Sequence, residues 1–327
     1  MNKKVKKVLI ISGISLASIA LAVGAGFGIR YIACQLERNS VGYIPNDEQL
    51  NHSPKYERVV IFGIDGAGSH FSDCDAPYFD KIFLDGSINY KALTQFEADS
   101  APNWTSMLHG VKFAKHKVHN EDSGLRPYPN AKYPSIYKIA HEKYSDLKGL
   151  SISNWPNINT GIIEDLDYVT KISTGNDDRV VEEFKNNFLV VEPKITFVCL
   201  NDVDTAGHAH GLSEEYYAAL RKNDARMGEM YDFLFANNKV DGTLFICVAD
   251  HGHKKSGGHG FTFPIENQDI VRTTLAVNGN LGNIEKNGKM GKAVTQDVAS
   301  IALYALGVKQ PNNFDGRVPY SMFSDLK

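Results

Sequence analysis

The stretch Val59-Val60-Ile61-Phe62-Gly63-Ile64 is an apolar run of mostly β-branched and aromatic residues, and it ends at an acid, Asp65. A short run of this composition predicts a buried β-strand. Two later runs, Ile195–Leu200 and Leu244–Val248, have the same character, and acidic residues follow each of them. The three runs predict the centre of a sheet whose strands deliver carboxylates to their ends.

Helical patterns separate the predicted strands and indicate the fold class. Weaker strand patterns occur at Tyr90–Leu93, Gly149–Ile152 and Thr273–Val277. Helical patterns are clearest at Pro134–Tyr144, Asp178–Phe188, Ser213–Ala236 and Thr295–Leu306. Strands that alternate with helices are typical of an α/β domain with a mostly parallel sheet.

Acids and histidines that follow the strands predict a metal site. Ligands of open α/β sheets bind outside the carboxyl ends of the strands, so Asp65, Asp204 and Asp250 are expected at one edge. Three carboxylates there would repel each other unless a cation lies between them. Three histidines accompany these acids in the sequence: His208, His251 and His259. Imidazole and carboxylate together suit zinc, manganese or iron, and six such groups divide into two triads for two ions.

A nucleophile is predicted in Asp99-Ser100-Ala101-Pro102-Asn103-Trp104-Thr105, which follows a strand-like stretch and begins a helical one. A serine hydroxyl at Ser100 can bind a metal, lose its proton and lie near a helix N-terminus that favours anions. The same residues equally fit an ordinary helix cap. Asn103-Trp104-Thr105 also matches a glycosylation sequon, although a glycan there would block the predicted site.

Composition and the N-terminal sequence indicate where in the cell the protein is expected. The chain has 327 residues, 43% of them hydrophobic, and a net charge of -3, so nothing indicates a nucleic-acid partner. An uncharged apolar stretch follows a lysine-rich start, which predicts a transmembrane helix at 8–30 after a cytoplasmic segment at 1–7. A linker at 31–56 and a catalytic domain at 57–327, outside the cytoplasm at the cell membrane, are then expected. A cleaved signal peptide and lipidation at Cys34 remain alternatives.

Together these motifs resemble the alkaline phosphatase superfamily, most closely its type I phosphodiesterase/nucleotide pyrophosphatase branch. The resemblance runs from Arg58 to Arg317 and implies a three-layer α/β/α sandwich. It implies that one metal is held by Asp65, Ser100, Asp250 and His251, and a second by Asp204, His208 and His259. It further implies that Asn103 donates a hydrogen bond to a phosphoryl oxygen. The expected cofactors are two divalent ions, zinc or else manganese, and the expected substrate is a phosphate ester.

Departures from the family pattern leave the ester class open. The diesterase branch usually has threonine as nucleophile, whereas Ser100 is the alkaline phosphatase choice. Sulfatases need an arginine where Trp104 stands, which disfavours that activity. The first expectation is a phosphodiesterase acting through a phosphoserine. A phosphomonoesterase, an envelope phosphoryl-alcohol transferase and a non-catalytic metal-stabilised binding protein are the alternatives. His210 and His253 are expected at most to donate hydrogen bonds to the ligands.

Overall fold

The computed structural model describes residues 52–95, 98–125, 127–128, 132–260, 268–281, 284, 288–319 and 322–323. The predicted transmembrane helix at 8–30 and most of the predicted linker lie outside these residues. Across the described ranges, no helix is both long enough and apolar enough to cross a membrane.

One sheet organises the described part of the chain, and its eight strands include all six predicted ones. Its strands are β1 (Arg58–Ile64), β2 (Ser87–Leu93), β3 (Gly149–Ser153), β4 (Val169–Ser173), β5 (Ile195–Leu200), β6 (Thr243–Val248), β7 (Arg272–Gly279) and β8 (Gly288–Lys289). Their order across the sheet is β4-β3-β5-β1-β6-β7-β2-β8. Strands β4, β3, β5, β1 and β6 run parallel, whereas β7 is antiparallel to both β6 and β2. The prediction of a mostly parallel sheet is confirmed.

Helices fill the connections, and the four predicted ones are present. They are α1 (Pro77–Phe83), α2 (Ser100–His109), α3 (Phe113–His116), α4 (Asn120–Ser123), α5 (Ile136–Lys143), α6 (Asp177–Val191), α7 (Asp202–His210), α8 (Glu214–Ala236), α9 (Gln268–Val271) and α10 (Asp297–Ala305). Ser213 caps α8, as predicted, because its hydroxyl accepts a hydrogen bond from the Tyr216 N–H. A 3₁₀ turn at His70–Ser72 and a π-helical turn at Ile158–Ile162 complete the set.

Both faces of the sheet are buried under helices. On one face, Val59 and Ile61 of β1 belong to an apolar cluster with Trp104 of α2, Tyr137 of α5 and Ile301 of α10. On the other face, the alternate β1 residues pack with side chains of three more helices: Val60 and Phe62 with Phe79 of α1, Phe184 of α6 and Met227 of α8. Side chains of a strand alternate between its two faces, so a strand that is apolar throughout is buried on both.

Strand order explains why the predicted ligands meet. Strand β1 lies between β5 and β6 and is parallel to both, with Ile64 opposite Leu200 and Gly63 opposite Val248. The carboxyl ends of these three strands therefore lie side by side, and the residues after them share one edge of the sheet.

Candidate metal centre

The first triad lies directly at the carboxyl ends of β1 and β6. Nε2 of His251 is 3.3 Å from Asp250 Oδ2 and 3.6 Å from Asp65 Oδ1. All three side chains are buried, and one ligand atom from each lies within 4.8 Å of the others. The structure thus brings together the three residues that, with Ser100, the family resemblance assigns to one metal.

Hydrogen bonds orient this triad as ligands. Asp250 Oδ1 accepts from the backbone N–H groups of Gly66 and His251 at 3.0 and 2.9 Å, whereas its Oδ2 is buried without a hydrogen-bond partner among the described residues. Nδ1 of His251 lies 3.2 Å from the carbonyl oxygen of Gly252, which can only accept, so Nδ1 carries the proton and Nε2 presents a lone pair. A buried carboxylate oxygen without a partner beside an imidazole lone pair fits a divalent cation.

Trp104 orients Asp65, the third candidate ligand of this triad. Its indole N–H donates to Asp65 Oδ2 at 3.1 Å, which leaves Oδ1 facing His251. The ring lies so close to β1 that a Cβ on Gly63 would be 2.7 Å from Trp104 Cη2. The glycine within the otherwise apolar β1 run is therefore required by the residue that holds Asp65.

Without a cation, the charges in this triad oppose one another. Burial, together with the charges of Asp250 and Asp204, holds the pKa of Asp65 well above its usual range. Burial and the charge of Asp204 raise the pKa of Asp250 to about 7, against the hydrogen bond from Gly66. Burial also lowers the pKa of His251, so this imidazole stays neutral. A bound cation would remove the repulsion between the two carboxylates, and a neutral imidazole is the form that binds a metal.

The second triad begins on α7, where Asp204 and His208 lie one turn apart on the same face. Asp204 Oδ1 is 3.5 Å from His208 Nε2 and 3.6 Å from His259 Nε2. The His208 side chain is 52% exposed, whereas that of His251 in the first triad is completely buried. The two triads therefore run from the protein interior towards the surface.

A buried ion-pair network holds the start of α7. Asp177 accepts hydrogen bonds from the backbone N–H groups of Asn201 and Asp202, both at 2.8 Å. Arg226 then bridges the carboxylates of Asp177 and Asp202 at 3.3 and 2.6 Å. These contacts fix the helix that carries Asp204 and His208.

His259 connects the second triad to the segment before Ser100. Its Nδ1 lies 2.9 Å from the Ala98 carbonyl oxygen and 3.0 Å from Asp99 Oδ1, so the proton resides on Nδ1 and Nε2 faces Asp204. Burial lowers the pKa of His259, but the hydrogen bond with Asp99 and the charge of Asp204 outweigh it and raise the pKa. Its ring stacks on that of His251 at 3.7 Å between centroids, so the two triads adjoin.

Ser100 is the first residue of α2, and its hydroxyl contacts the first triad. Its Oγ is 3.1 Å from His251 Nε2 and 3.5 Å from Asp65 Oδ1. Only 6% of the residue is exposed. The predicted nucleophile thus touches two predicted ligands, and its hydroxyl proton faces acceptors.

Two asparagines form hydrogen bonds with the residues on either side of Ser100, Asn103 with Asp99 and Asn120 with Ala101. The amide of Asn103 is buried: its Nδ2 donates to the Asp99 carbonyl at 3.0 Å, and its Oδ1 accepts from the Gln95 N–H at 2.8 Å. The expected contact of Asn103 with a phosphoryl oxygen stays a prediction. Asn120 accepts from the N–H of Ala101, the residue after Ser100, at 2.7 Å, and its amide nitrogen has no acceptor among the described residues. No sequence pattern singled out Asn120, because the fold alone brings α4 to the start of α2.

Comparisons with known proteins identify the family and the fold. The sequence matches the family described as type I phosphodiesterase / nucleotide pyrophosphatase over residues 59–312. Murine ectonucleotide pyrophosphatase / phosphodiesterase 5 has the same fold, with a TM-score of 0.65 over 79% of this chain and 97% of that chain at 13% identity; its inactive variant in complex with AMP gives 0.66. A 2-O GAG sulfatase, BT1596, gives 0.62 over 80% of this chain and 73% of that one, at 12% identity.

Among curated proteins, the chain is similar to GPI ethanolamine phosphate transferase 1. The Saccharomyces cerevisiae protein is 29% identical over 38% of this chain, and the Neurospora crassa protein is 29% identical over 41%. The match spans 15% of the length of each of these relatives. The family match covers most of the chain and agrees with the resemblance expected from its motifs. The chain therefore belongs to the type I phosphodiesterase / nucleotide pyrophosphatase family.

Proposed function

We propose that this protein cleaves phosphodiesters with Ser100 as nucleophile and two divalent metal ions as cofactors. The observation that carries the proposal is the contact of Ser100 Oγ with the first of two adjoining ligand triads. Asp65, Asp250, His251 and the Ser100 oxygen would hold one ion, and Asp204, His208 and His259 the other. Mixed carboxylate and imidazole ligands favour zinc, with manganese as the alternative.

The proposed reaction has two steps, attack by Ser100 and then attack by water. When bound, the metals supply positive charge that favours the Ser100 alkoxide and stabilises the oxygens that become anionic. Ser100 Oγ attacks phosphorus, a bond from Oγ to phosphorus forms, and the bond from phosphorus to the departing alcohol breaks. Water then attacks the phosphorus bound to Ser100, the bond from Oγ to phosphorus breaks, and the phosphomonoester product leaves. Trp104 and Gly252 keep Asp65 and His251 oriented throughout.

Ester class can be tested by comparing a bis-aryl phosphate with an aryl monophosphate. We expect the diester to be cleaved at least about tenfold more efficiently, since the nucleophile motif from Asp99 to Thr105 contains no arginine or lysine that would neutralise the extra charge of a monoester. The measurement is kcat/KM for aryl alcohol release by the metal-loaded protein. Faster cleavage of the monoester would instead support a phosphomonoesterase.

A second candidate function is transfer of a phosphoryl-alcohol group to an acceptor alcohol. The similarity to GPI ethanolamine phosphate transferase 1 favours it, because that name describes transfer rather than hydrolysis. The first half of the reaction is the same, and an acceptor hydroxyl then takes the place of water. Adding a primary alcohol to the diester assay separates the two: a transferase forms a new diester as aryl alcohol is released, whereas a hydrolase forms only the monoester.

Asn120 is a further component of the proposed site. Because its side chain is bonded to the residue after Ser100, its amide nitrogen is available to a phosphoryl oxygen at the nucleophile. We expect Asn120→Ala to lower kcat/KM by about 100- to 1,000-fold, the scale of one lost donor to a developing oxyanion. The melting temperature should fall less than in Asn103→Ala, because only one part-buried hydrogen bond is lost.

Asn103→Ala provides the comparison. Its amide links Asp99 to Gln95 within the fold, so that variant is expected to lower the melting temperature by removing buried hydrogen bonds. A variant at Asn103 that folds with full stability but loses activity would favour the original assignment of the phosphoryl contact to Asn103.

The predicted membrane anchor completes the proposal. Residues 8–30 would hold the catalytic domain at the outer face of the cell membrane, with 31–56 as a linker. Protease treatment of intact cells should then remove the catalytic domain while leaving cytoplasmic proteins untouched.

A further inference from the structure

His253 is a buried imidazole that neither proposed set of metal ligands contains. Its Nε2 lies 3.0 Å from Asp204 Oδ1, closer than the Nε2 atoms of His208 at 3.5 Å and His259 at 3.6 Å. A separation of 3.0 Å is that of an N–H···O hydrogen bond. Asp204, the one carboxylate of the second triad, therefore contacts a third imidazole that is completely buried.

The ring nitrogen of His253 that carries the proton decides whether Nε2 donates a hydrogen bond to Asp204 or binds a metal. Its Nδ1 is buried and has no hydrogen-bond partner within the described ranges. A proton on Nδ1 would be a buried donor without an acceptor, and it would leave the Nε2 lone pair facing a carboxylate that can only accept. The proton is therefore expected on Nε2, where the carboxylate oxygen accepts it, and a protonated nitrogen cannot bind a metal.

Packing fixes the ring and the carboxylate together. A Cβ at Gly207, which lies between Asp204 and His208 on α7, would overlap the Cδ2 atom of His253. The rings of His208 and Tyr216 also contact it edge-on, with centroids at 5.1 and 6.0 Å. Helix α7 thus packs directly on the imidazole, and the glycine in Asp-Thr-Ala-Gly-His makes room for it.

We propose that His253 is a positioning residue for the second metal site: its Nε2–H holds the Asp204 carboxylate in the orientation that the metal ligand needs. The inference rests on the proposed two-metal function. Asp204 lies within ligand distance of His208 and His259, and also of His251 and His253, whereas Asp65 and Asp250 group with His251. A proton on Nε2 excludes His253 from the ligands and leaves Asp204 with His208 and His259. Loss of His253 should therefore weaken one metal and spare its neighbour.

The test measures zinc affinity by competition with a chromogenic chelator in full-length wild type, His253→Leu, His253→Asn and His253→Gln. In His253→Leu, one of the two zinc affinities should fall about 10- to 100-fold, the usual effect of removing a partner behind a metal ligand, while the other changes by less than about threefold. His253→Asn should show the same loss, because its amide is too short to reach Asp204. His253→Gln should retain most of the affinity, because its longer amide can donate from near the position of Nε2.

His109→Leu is the matched control for burial. That histidine is also completely buried, and its ring nitrogens face the carbonyl oxygens of Tyr133 and Ile162 at 2.7 and 3.0 Å, away from both triads. It should lower the melting temperature and leave both zinc affinities unchanged. Unchanged zinc binding in both His253→Leu and His253→Asn would overturn the inference. Equal losses in His253→Gln and His253→Asn would also overturn it, because a donor near the position of Nε2 would then not restore the Asp204 ligand. A wild-type protein that binds fewer than two zinc ions would instead contradict the proposed function.

Discussion

Ser100→Ala is expected to lower turnover by a factor on the order of 10³ or more while zinc binding persists, because the variant lacks the oxygen that attacks phosphorus. Two carboxylates and an imidazole of the first triad remain in place, held by Gly66, Trp104 and Gly252 rather than by the serine. The measurement pairs the steady-state rate of diester cleavage with zinc content of the same sample. Wild-type rates in this variant would rule out Ser100 as nucleophile.

Ser106→Ala is the control in the same helix. Ser106 is also buried, but its hydroxyl lies 3.0 Å from His116 Nε2, away from the triads. That change should cost about 1 kcal/mol in the free energy of unfolding, the value of one buried hydrogen bond, and leave kcat within a few-fold of wild type. Mass spectrometry of wild-type protein that is acid-quenched during turnover of a bis-aryl phosphate should also detect an aryl-phosphoryl group on Ser100 and none on Ser106.

The second large effect expected is on stability, when zinc is returned to the chelated protein at different pH values. In the metal-free fold, burial raises the pKa of Asp250 to about 7 from an ordinary value of 3.8. Its protonation therefore stabilises the metal-free fold at low pH, and this stabilisation is lost as the pH rises through about 7. Zinc competes with that proton at pH 5.5 but binds ionised carboxylates at pH 8.

The rise in melting temperature on adding zinc should consequently be larger at pH 8 than at pH 5.5. At a free zinc concentration about 1,000 times Kd, binding contributes about 4 kcal/mol to the free energy of unfolding. Differential scanning calorimetry at the two pH values measures the difference. Asp250→Asn should remove most of the zinc-dependent rise, since the amide lacks the charge and one of the ligand oxygens.

Asp224→Asn is the control for a buried carboxyl. Asp224 accepts from the N–H groups of Tyr78 and Phe79 at the start of α1, and burial raises its pKa to about 6. Replacing it should lower the melting temperature at every pH and leave the zinc-dependent rise as in wild type. An equal rise at pH 5.5 and pH 8 in the wild-type protein would contradict the assignment of Asp250 to the metal.

The strands, and the meeting of the candidate ligands at one edge, were predictable because they depend on local sequence and on one general rule. Continuous apolar runs identify central parallel strands, and acids that follow them closely are expected at the shared carboxyl edge. Helix α7 was not predicted, because Asp202–His210 lacks apolar periodicity and contains Thr205 and Gly207, which form helices poorly. It forms because Asp177 and Arg226 hold its first turn.

Other parts of the site depend on distant contacts that a single sequence does not display. Asn120 meets the start of α2 only in the folded chain, through its bond to Ala101. His253 was expected at most to donate to a ligand, and the structure shows it at hydrogen-bonding distance from Asp204. The sequence also did not predict that β7 is antiparallel to β6, because its apolar residues fit a buried strand in either direction.

The central position of β1 also governs how the chain reaches its folded form. Val59 pairs with Ile195 on one side and with Leu244 on the other, so both edges of β1 stay open until those later segments have been made. At ribosomal speed this takes on the order of ten seconds, during which an apolar strand has no partner. Contacts so distant in sequence also slow folding itself, and open apolar edges invite aggregation. Any metal held by the proposed first triad would then be acquired late in biogenesis, since Asp250 follows β6 and is made long after Asp65 and Ser100.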